Sequence, residues 1–329
     1  MIFVDNQNHT DARINLAIEE HLLRNYQTDE EILLFYINGP SIIIGRNQNT
    51  IEEINQKYVE EHGIHVVRRL SGGGAVYHDL GNLNFSFISN SGHENIQNFK
   101  KFTAPVVKAL NDMGVPAELG GRNDILVEER KVSGNAQYIS GNRMVSHGTL
   151  LFNSDLSVVS ESLNVKASKI SSKGIKSIRS RVANISEYLP EQIDVFTFRE
   201  RVKNGILADS KNFEYVLTDQ DWVSINKISE ERYQKWEWNF GRSPVFNIQK
   251  TERFPIGEID ARIEVEGGII KHIRFFGDYL GLSDVGEIEN KLVGCQFKKE
   301  SMETALKDVD LHQFFGDLDK KELIRFIYE

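Results

Sequence analysis

The sequence predicts an α+β protein in two units. Segments with helical spacing are interleaved with short β-branched and aromatic runs. A chain of 329 residues, 40% hydrophobic, can bury one large core or two smaller ones, and its length suggests about two domains. Glycine and proline close together in "GRSPVF", residues 241–246, stop regular structure and mark a linker. The expected division is a larger unit over 1–243 and a smaller α+β unit over 246–329.

Along the chain, Asp11 is a candidate N-cap for a helix whose face carries Ile14, Ala17, Ile18, His21 and Leu22. "EILLFYIN" and "PSIIIG" are apolar runs separated by Asn-Gly-Pro and read as a strand pair. "IEEINQKYVEEHG" returns to helical spacing through Ile51, Ile54 and Tyr58 and ends at Gly63. "IHVVRR" reads as a strand. In "NLNFSFI", Leu83, Phe85 and Phe87 alternate with Asn84 and Ser86, the pattern of a half-buried strand. A helix from Asn98 to Met113, closed by Gly114, precedes strands near "DILVEE", "KVSGNAQYI" and "RMVSHGTLLF", the last two joined by Ser-Gly-Asn. Residues 166–181 hold six basic residues and no acidic one, and read as a mobile basic loop. Helical patterns cover most of Val195 to Asn239. Beyond the linker, a hairpin turns at Gly267-Gly268, and two or three short helices finish the chain.

The formal charge of -9 and a pI near 5.6 disfavour nucleic acid and anionic lipid as partners. No run approaches the ~20 apolar residues of a membrane span, and the N-terminus lacks the flank and core of a secretory signal, so a cytoplasmic protein is expected. A single cysteine, Cys295, rules out an intrachain disulfide and a Cys-rich zinc site.

The stretch "VVRRLSGGGAVYHDLGNLNFSF", Val66 to Phe87, sets two arginines against three consecutive glycines. Convergent backbone N-H groups bind anions, and glycine permits the torsions and the close approach that this needs. Arg69 could add a charged fork, although a glycine-rich turn without a ligand has the same pattern. The loop fits neither the dinucleotide fingerprint nor the P-loop. Lys131, in "RKVSGNAQ", could hold a phosphate and an attacking carboxylate together, or be a solvated surface lysine. His78 and His147 are candidate acid, base or ligand groups, or structural histidines. Asp124 could hold Mg²⁺ against phosphate, or serve turn chemistry before a strand.

Taken together and in order, these stretches resemble the lipoate-protein ligase A family of the biotin/lipoate ligase superfamily. "RRLSGGGAVYHDLGNLNFSF" resembles its main motif, "GRNDI", "KVSGNAQ" and "SHGTLLFNSDL" its next three, "KGIKSIRSRVANI" its adenylate-binding loop, and "WEWNFGRSP" the end of its large domain. The resemblance implies a large mixed-sheet catalytic domain with a class II aminoacyl-tRNA synthetase-like core and a C-terminal accessory domain. It implies an ATP- and Mg²⁺-dependent, AMP-forming ligase. Such an enzyme converts free lipoate to lipoyl-AMP, then transfers the lipoyl group to a lysine of a lipoyl domain.

By the same resemblance, nucleotide binding falls on Arg69, Gly74, Ala75, Val76, Tyr77 and Lys131. Lipoate binding falls on Leu70, Ser71, Gly72, Gly73, His78, Asn82, Lys131, Gly134, His147 and Thr149, catalysis on Lys131, and Mg²⁺ on Asp124. One departure is Asn135, where other members can carry another small residue. The implied acceptors are E2 subunits of 2-oxoacid dehydrogenases and the glycine-cleavage H protein, with the enzyme a monomer. The basic loop is expected to close over the adenylate, and the C-terminal domain to move about the linker. The alternatives are an ATP-independent octanoyl or lipoyl transferase and a non-catalytic lipoate-binding protein.

Overall fold

The computed structural model describes residues 1–92, 95, 97–163, 181–208, 211–241 and 247–328. The expected basic loop, apart from Arg181, and the expected linker, apart from Gly241, lie outside these residues. The strands are β1 (Ile2–Asp5), β2 (Ile32–Ile37), β3 (Ser41–Ile44), β4 (His65–Arg68), β5 (Val76–His78), β6 (Asn82–Asn90) and β7 (Ala117–Gly120). They continue with β8 (Asp124–Val127), β9 (Arg130–Ser140), β10 (Arg143–Leu151), β11 (Phe213–Tyr215), β12 (Ile248–Phe254), β13 (Gly257–Glu266) and β14 (Ile269–Gly277). A mixed eight-stranded sheet has the order β11-β1-β2-β6-β10-β9-β8-β7, with β1 parallel to both β2 and β11 and the other neighbours antiparallel.

One face of this sheet packs Leu33, Phe35, Leu83, Phe85 and Phe87 against Phe102 and Val106 of the helix Phe99–Asp112 and Phe198 and Val202 of the helix Val195–Leu207. The other face receives the helix Ala12–Arg24, capped by the Asp11 carboxylate, which accepts from the Arg13 N-H at 2.8 Å. Leu16, Ala17, Ile18 and Leu22 of that helix join Ile32, Leu34 and Val145 in a second apolar cluster. β3, β4 and β5 form a separate sheet in the order β4-β3-β5. The antiparallel β12-β13-β14 sheet packs with the helices Gly286–Leu292, Lys299–Ala305, His312–Phe315 and Lys320–Tyr328 around its own apolar cluster. No helix among the described residues is long and apolar enough to cross a membrane.

Several local expectations change. β2 and β3 do not pair, because Gly39 N-H bonds to Thr10 O at 2.8 Å and the chain leaves the large sheet before β3 begins. The helix expected over 51–63 is two helices, Thr50–Glu53 and Gln56–Glu61; Ile54 bridges to Leu163, and the Asn55 side chain caps the second helix. The glycine loop leads into β5 before the chain reaches β6. β6 is buried on both faces up to Ser89, since it lies between β2 and β10 under helices on both sides. β1, β7, β11 and β12 were not anticipated, and four short helices, not two or three, finish the chain.

Arg68, at the end of β4, is 1% exposed. Its guanidinium donates to the carbonyls of Trp238, Gly45 and Gln48 at 2.7–2.9 Å and to Thr50 Oγ1 at 2.6 Å. It therefore ties β4, the turn after β3 and the end of the large unit together. Arg68→Met leaves these acceptors buried without a donor, and is expected to lower unfolding stability by about 3 kcal/mol or more. Denaturant melts measure this; a change below about 1 kcal/mol would mean the carbonyls find other partners.

Candidate functional site

Strand alternation makes a polar face on the large sheet. Tyr36 of β2, Asn84 of β6 and Thr149 of β10 are register partners in one row; Ser86 of β6, His147 of β10 and Ala136 of β9 form the next. Tyr36, Asn84, Thr149, His147 and Ala136 line one partly open cavity of about 180 Å³. Leu16, Ile43 and Val76 supply apolar wall, and Lys131, Asn123 and Asn135 add polar groups. Part of its wall comes from the C-terminal unit, through Leu280.

A chain of buried hydrogen bonds runs behind this wall. Glu19 lies on the inner face of the first helix, and its carboxylate meets His147 Nδ1 at 2.9 Å while also accepting from Ser86 Oγ. His147 Nε2 pairs with Ser71 Oγ at 2.6 Å, and Ser71 Oγ accepts from Arg69 Nε at 3.1 Å. The rest of the Arg69 guanidinium donates to the carbonyls of Ile43, Gly72 and Gly74 at 2.7–2.9 Å. Burial pulls Arg69 down to about 10, still protonated at neutral pH. Its fork thus organises the glycine loop from within, and what it offers an anion in the cavity is its charge. Burial together with nearby Glu19 holds the Tyr36 phenol well above its ordinary value.

The three glycines differ in what they require. A Cβ on Gly72 would lie 2.5 Å from Tyr279 O and 3.1 Å from Gly281 N. Gly73, at φ +93°, packs against the Arg69 guanidinium and Leu280, and its N-H bonds to Tyr279 O at 3.1 Å. Of the three, only Gly74 has no described atom within 4 Å of where a Cβ would stand. Two of the three therefore admit the C-terminal unit rather than a ligand. Further contacts join the units: Gly277 N-H to Asn47 O and Ile139 N-H to Leu282 O, both 2.9 Å, and ion pairs of Arg46 with Asp284 and Arg262 with Glu52.

Lys131 lies on β9 with its Nζ 2.8 Å from Asp124 Oδ1, both side chains about a third or more exposed. A Cβ on Gly134 would come within 3.0 Å of that Nζ, so the bare strand lets the lysine lie across it. The backbone at Lys131 also clasps the segment after the basic stretch: its N-H bonds to Arg181 O at 2.8 Å, and its carbonyl accepts from Ala183 N-H at 3.1 Å. Among the described residues no group of three or more His, Cys, Asp or Glu could hold a metal ion. Asp124 offers a single carboxylate, enough for Mg²⁺ only if a ligand supplies most of the oxygens.

Of the residues singled out from sequence, Arg69, Gly73, Gly74, Ala75, Val76, His78, Lys131, Gly134, His147 and Thr149 meet around the cavity. Leu70 lies in the apolar cluster under the first helix, and Tyr77 in another with Ile42 and Ile44. Ser71 stands behind His147, Gly72 under Tyr279, and Asn82 donates to Asn84 Oδ1 at 3.1 Å. Sequence reasoning missed Glu19, Tyr36, Asn38, Asn84 and Leu280. Glu19 was findable: it falls three residues from both Leu16 and Leu22, on the stripe the helix buries.

Residues 11–207 match the lipoyl protein ligase A/B catalytic domain, and residues 243–327 the bacterial lipoate protein ligase C-terminus. The chain belongs to the lipoyl protein ligase A/B family. It is 55% identical to the lipoate-protein ligase LplJ of Bacillus subtilis, covering 100% of both chains. It is 51% identical to lipoate–protein ligase 1 of Staphylococcus aureus, covering 99% of this chain and 100% of that one. Its fold matches the crystal structure of Plasmodium falciparum LipL1 in complex with lipoate, at a TM-score of 0.78 and 27% identity over 94% of each chain. A lipoate-protein ligase A bound with ATP matches at a TM-score of 0.62 and 29% identity, over 73% of this chain and 96% of that one.

The contact of Gly72 with the C-terminal unit is testable. Gly72→Ala drives a methyl into Tyr279 O and should loosen the Gly73–Tyr279 hydrogen bond, raising amide exchange of Gly73 about tenfold or more. Gly74→Ala should leave it unchanged. Equal exchange in both variants would contradict the close approach.

Proposed function

We propose that this protein is an ATP-dependent, AMP-forming lipoate-protein ligase acting in the cytoplasm. The observation that carries the reading is the single cavity in which an apolar wall, the open end of the glycine loop and the Lys131 Nζ meet. Full-length identity above one half to lipoate-protein ligases supports it.

A carboxylate and an amine at neutral pH form a salt, so the acyl group must be activated. The lipoate carboxylate attacks the α-phosphorus of ATP, pyrophosphate leaves, and lipoyl-AMP remains as a mixed anhydride. The ε-amine of an acceptor lysine then attacks the acyl carbon, AMP leaves, and an amide forms as the nitrogen loses its proton. Both transition states gather negative charge near the α-phosphate, where fixed cations and preorganised N-H donors act most strongly. Lys131 serves that purpose by leaving Asp124 for the carboxylate and phosphate. Asp124, freed in this way, would offer a carboxylate to Mg²⁺, which would help neutralise phosphate charge. The apolar wall takes the acyl chain, each buried methylene contributing ~0.8 kcal/mol.

The acceptor is a lipoyl domain, of an E2 subunit or an H protein, met by a monomeric enzyme with a catalytic domain over 1–243 and an accessory domain over 246–329. Since Tyr279 and Leu280 cover Gly72 and Gly73, the C-terminal unit has to shift before the acceptor lysine reaches the anhydride. A thioester route finds no support: Cys295 packs against the C-terminal apolar cluster, and burial pushes its thiol up.

Lipoate-dependent exchange between pyrophosphate and ATP tests the reading. Wild type should exchange without acceptor, and Lys131→Ala should lose about 100-fold or more. Absence of exchange in wild type would exclude the ligase.

A further inference from the structure

A line of buried amides leads from the surface of the large unit to His78. Asn6, Asn15, Asn38 and His78 are 1%, 0%, 0% and 4% exposed. Asn6 Nδ2 reaches His9 O at 2.6 Å and Asn15 Oδ1 at 2.8 Å. Asn15 Nδ2 reaches the same His9 carbonyl at 2.9 Å and Asn38 Oδ1 at 2.8 Å. Asn38 Nδ2 lies 3.0 Å from His78 Nδ1.

The direction of this line is dictated by His9. A carbonyl can only accept, so the ends of Asn6 and Asn15 that face it are amino groups. Asn15 therefore donates to Asn38, whose oxygen is taken, and Asn38 turns its own amino group to the imidazole. A donor facing Nδ1 requires Nδ1 to be the acceptor nitrogen. In a neutral ring the hydrogen then sits on Nε2. Burial, with Arg69 and His147 adding to it, pulls His78 down to about 3, so the ring is neutral at working pH. His78 lines the cavity, and its Nε2 is buried with no partner among the described residues. An unpaired buried donor is costly, and a group aimed into a ligand cavity finds its partner on the ligand.

We infer that Asn38 is a positioning residue that holds His78 as the Nε2-H tautomer, presenting a fixed donor to an acceptor oxygen of the bound acyl-adenylate. This rests on the ligase reading above and deepens it. The amide line does for His78 what Glu19 does for His147: it selects which nitrogen carries the hydrogen, with hydrogen bonds that polarise one another along their length. A carboxamide can do this without adding a charge, whereas a carboxylate at 38 would reverse the tautomer. Among the described residues, the charged or titratable groups that bear on the ring are Arg69 and His147, with Tyr36 and Lys131 on the same cavity.

The test combines nitrogen NMR of histidine-labelled full-length protein with the exchange assay. Ligand-free wild type should show His78 with hydrogen on Nε2, identified by loss of its signals in His78→Gln. Asn38→Asp accepts from Asn15 as before but can only accept from His78, moving the hydrogen to Nδ1. Lipoate-dependent exchange should then fall about 10- to 100-fold at pH 8 and recover in part at lower pH, because the new carboxylate favours the charged ring and draws a second hydrogen onto it. His78→Gln, whose amino group reaches the Nε2 position, should retain more activity than His78→Met. Hydrogen on Nδ1 in wild type, or full activity of Asn38→Asp with the tautomer reversed, would overturn the inference. Because the tautomer is read without substrate, that result is separate from absent exchange in wild type, which would overturn the ligase reading instead.

Discussion

Burying the Glu19 carboxylate, 3% exposed on the inner face of the first helix, dictates much of what surrounds the cavity. A carboxylate out of water has to be met by donors on several sides. Ser86 and His147 meet it from two adjacent strands; His147 engages Ser71, Ser71 accepts from Arg69, and Arg69 clasps the carbonyls of the glycine loop. The loop's shape is thus set from beneath, by a continuous polar path that begins on a helix far away in sequence. Partly satisfied, such a path would weaken the core; completed, it fixes one arrangement.

That arrangement explains why the sheet has two different faces. One is filled by phenylalanine and aliphatic side chains under two helices. The other carries Asn84, Ser86, His147 and Thr149, each either partnered or opening on the cavity. Two buried polar systems, one passing through His147 and one ending at His78, reach the same cavity from Glu19 and Asn15, one turn apart on the first helix. Lys131, by contrast, is held loosely, with about a third or more of both its side chain and Asp124 exposed. Rigid polar walls and one loosely held cation suit a reaction in which charge develops at one place and then leaves with AMP.

Much of this was legible in the order of residues. The Asp11 cap, the helix ending at Gly114, the Ser-Gly-Asn turn and the Gly267-Gly268 hairpin follow local rules, since each depends on residues within one turn. The motif residues His147 and Thr149 share a face through alternation on β10, whereas Lys131 and Gly134, three residues apart, share one because the β8–β9 register shifts by a residue between them. The failures are of another kind. β2 and β3 look like a hairpin because apolar runs separated by a turn usually pair, but each found better neighbours from distant parts of the chain. β6 looks half-exposed because Asn84 and Ser86 are polar, and only the first helix packed over that face, with Glu19 taking the Ser86 hydroxyl, shows that its polar side is interior.

The sequence by itself determined the periodicities, the caps, the family motifs and the types of groups available for phosphate and acyl chemistry, because these rest on neighbours along the chain. Tertiary structure alone decided that Glu19 and Asn38 belong to the site, that Arg69 is spent on its own loop, and that Gly72 and Gly73 are bare to admit Tyr279 and Leu280. The reason is physical: burial, hydrogen-bond direction and close approach depend on which atoms meet in space, and apart from Arg69's contacts within its own loop those partners lie far along the chain.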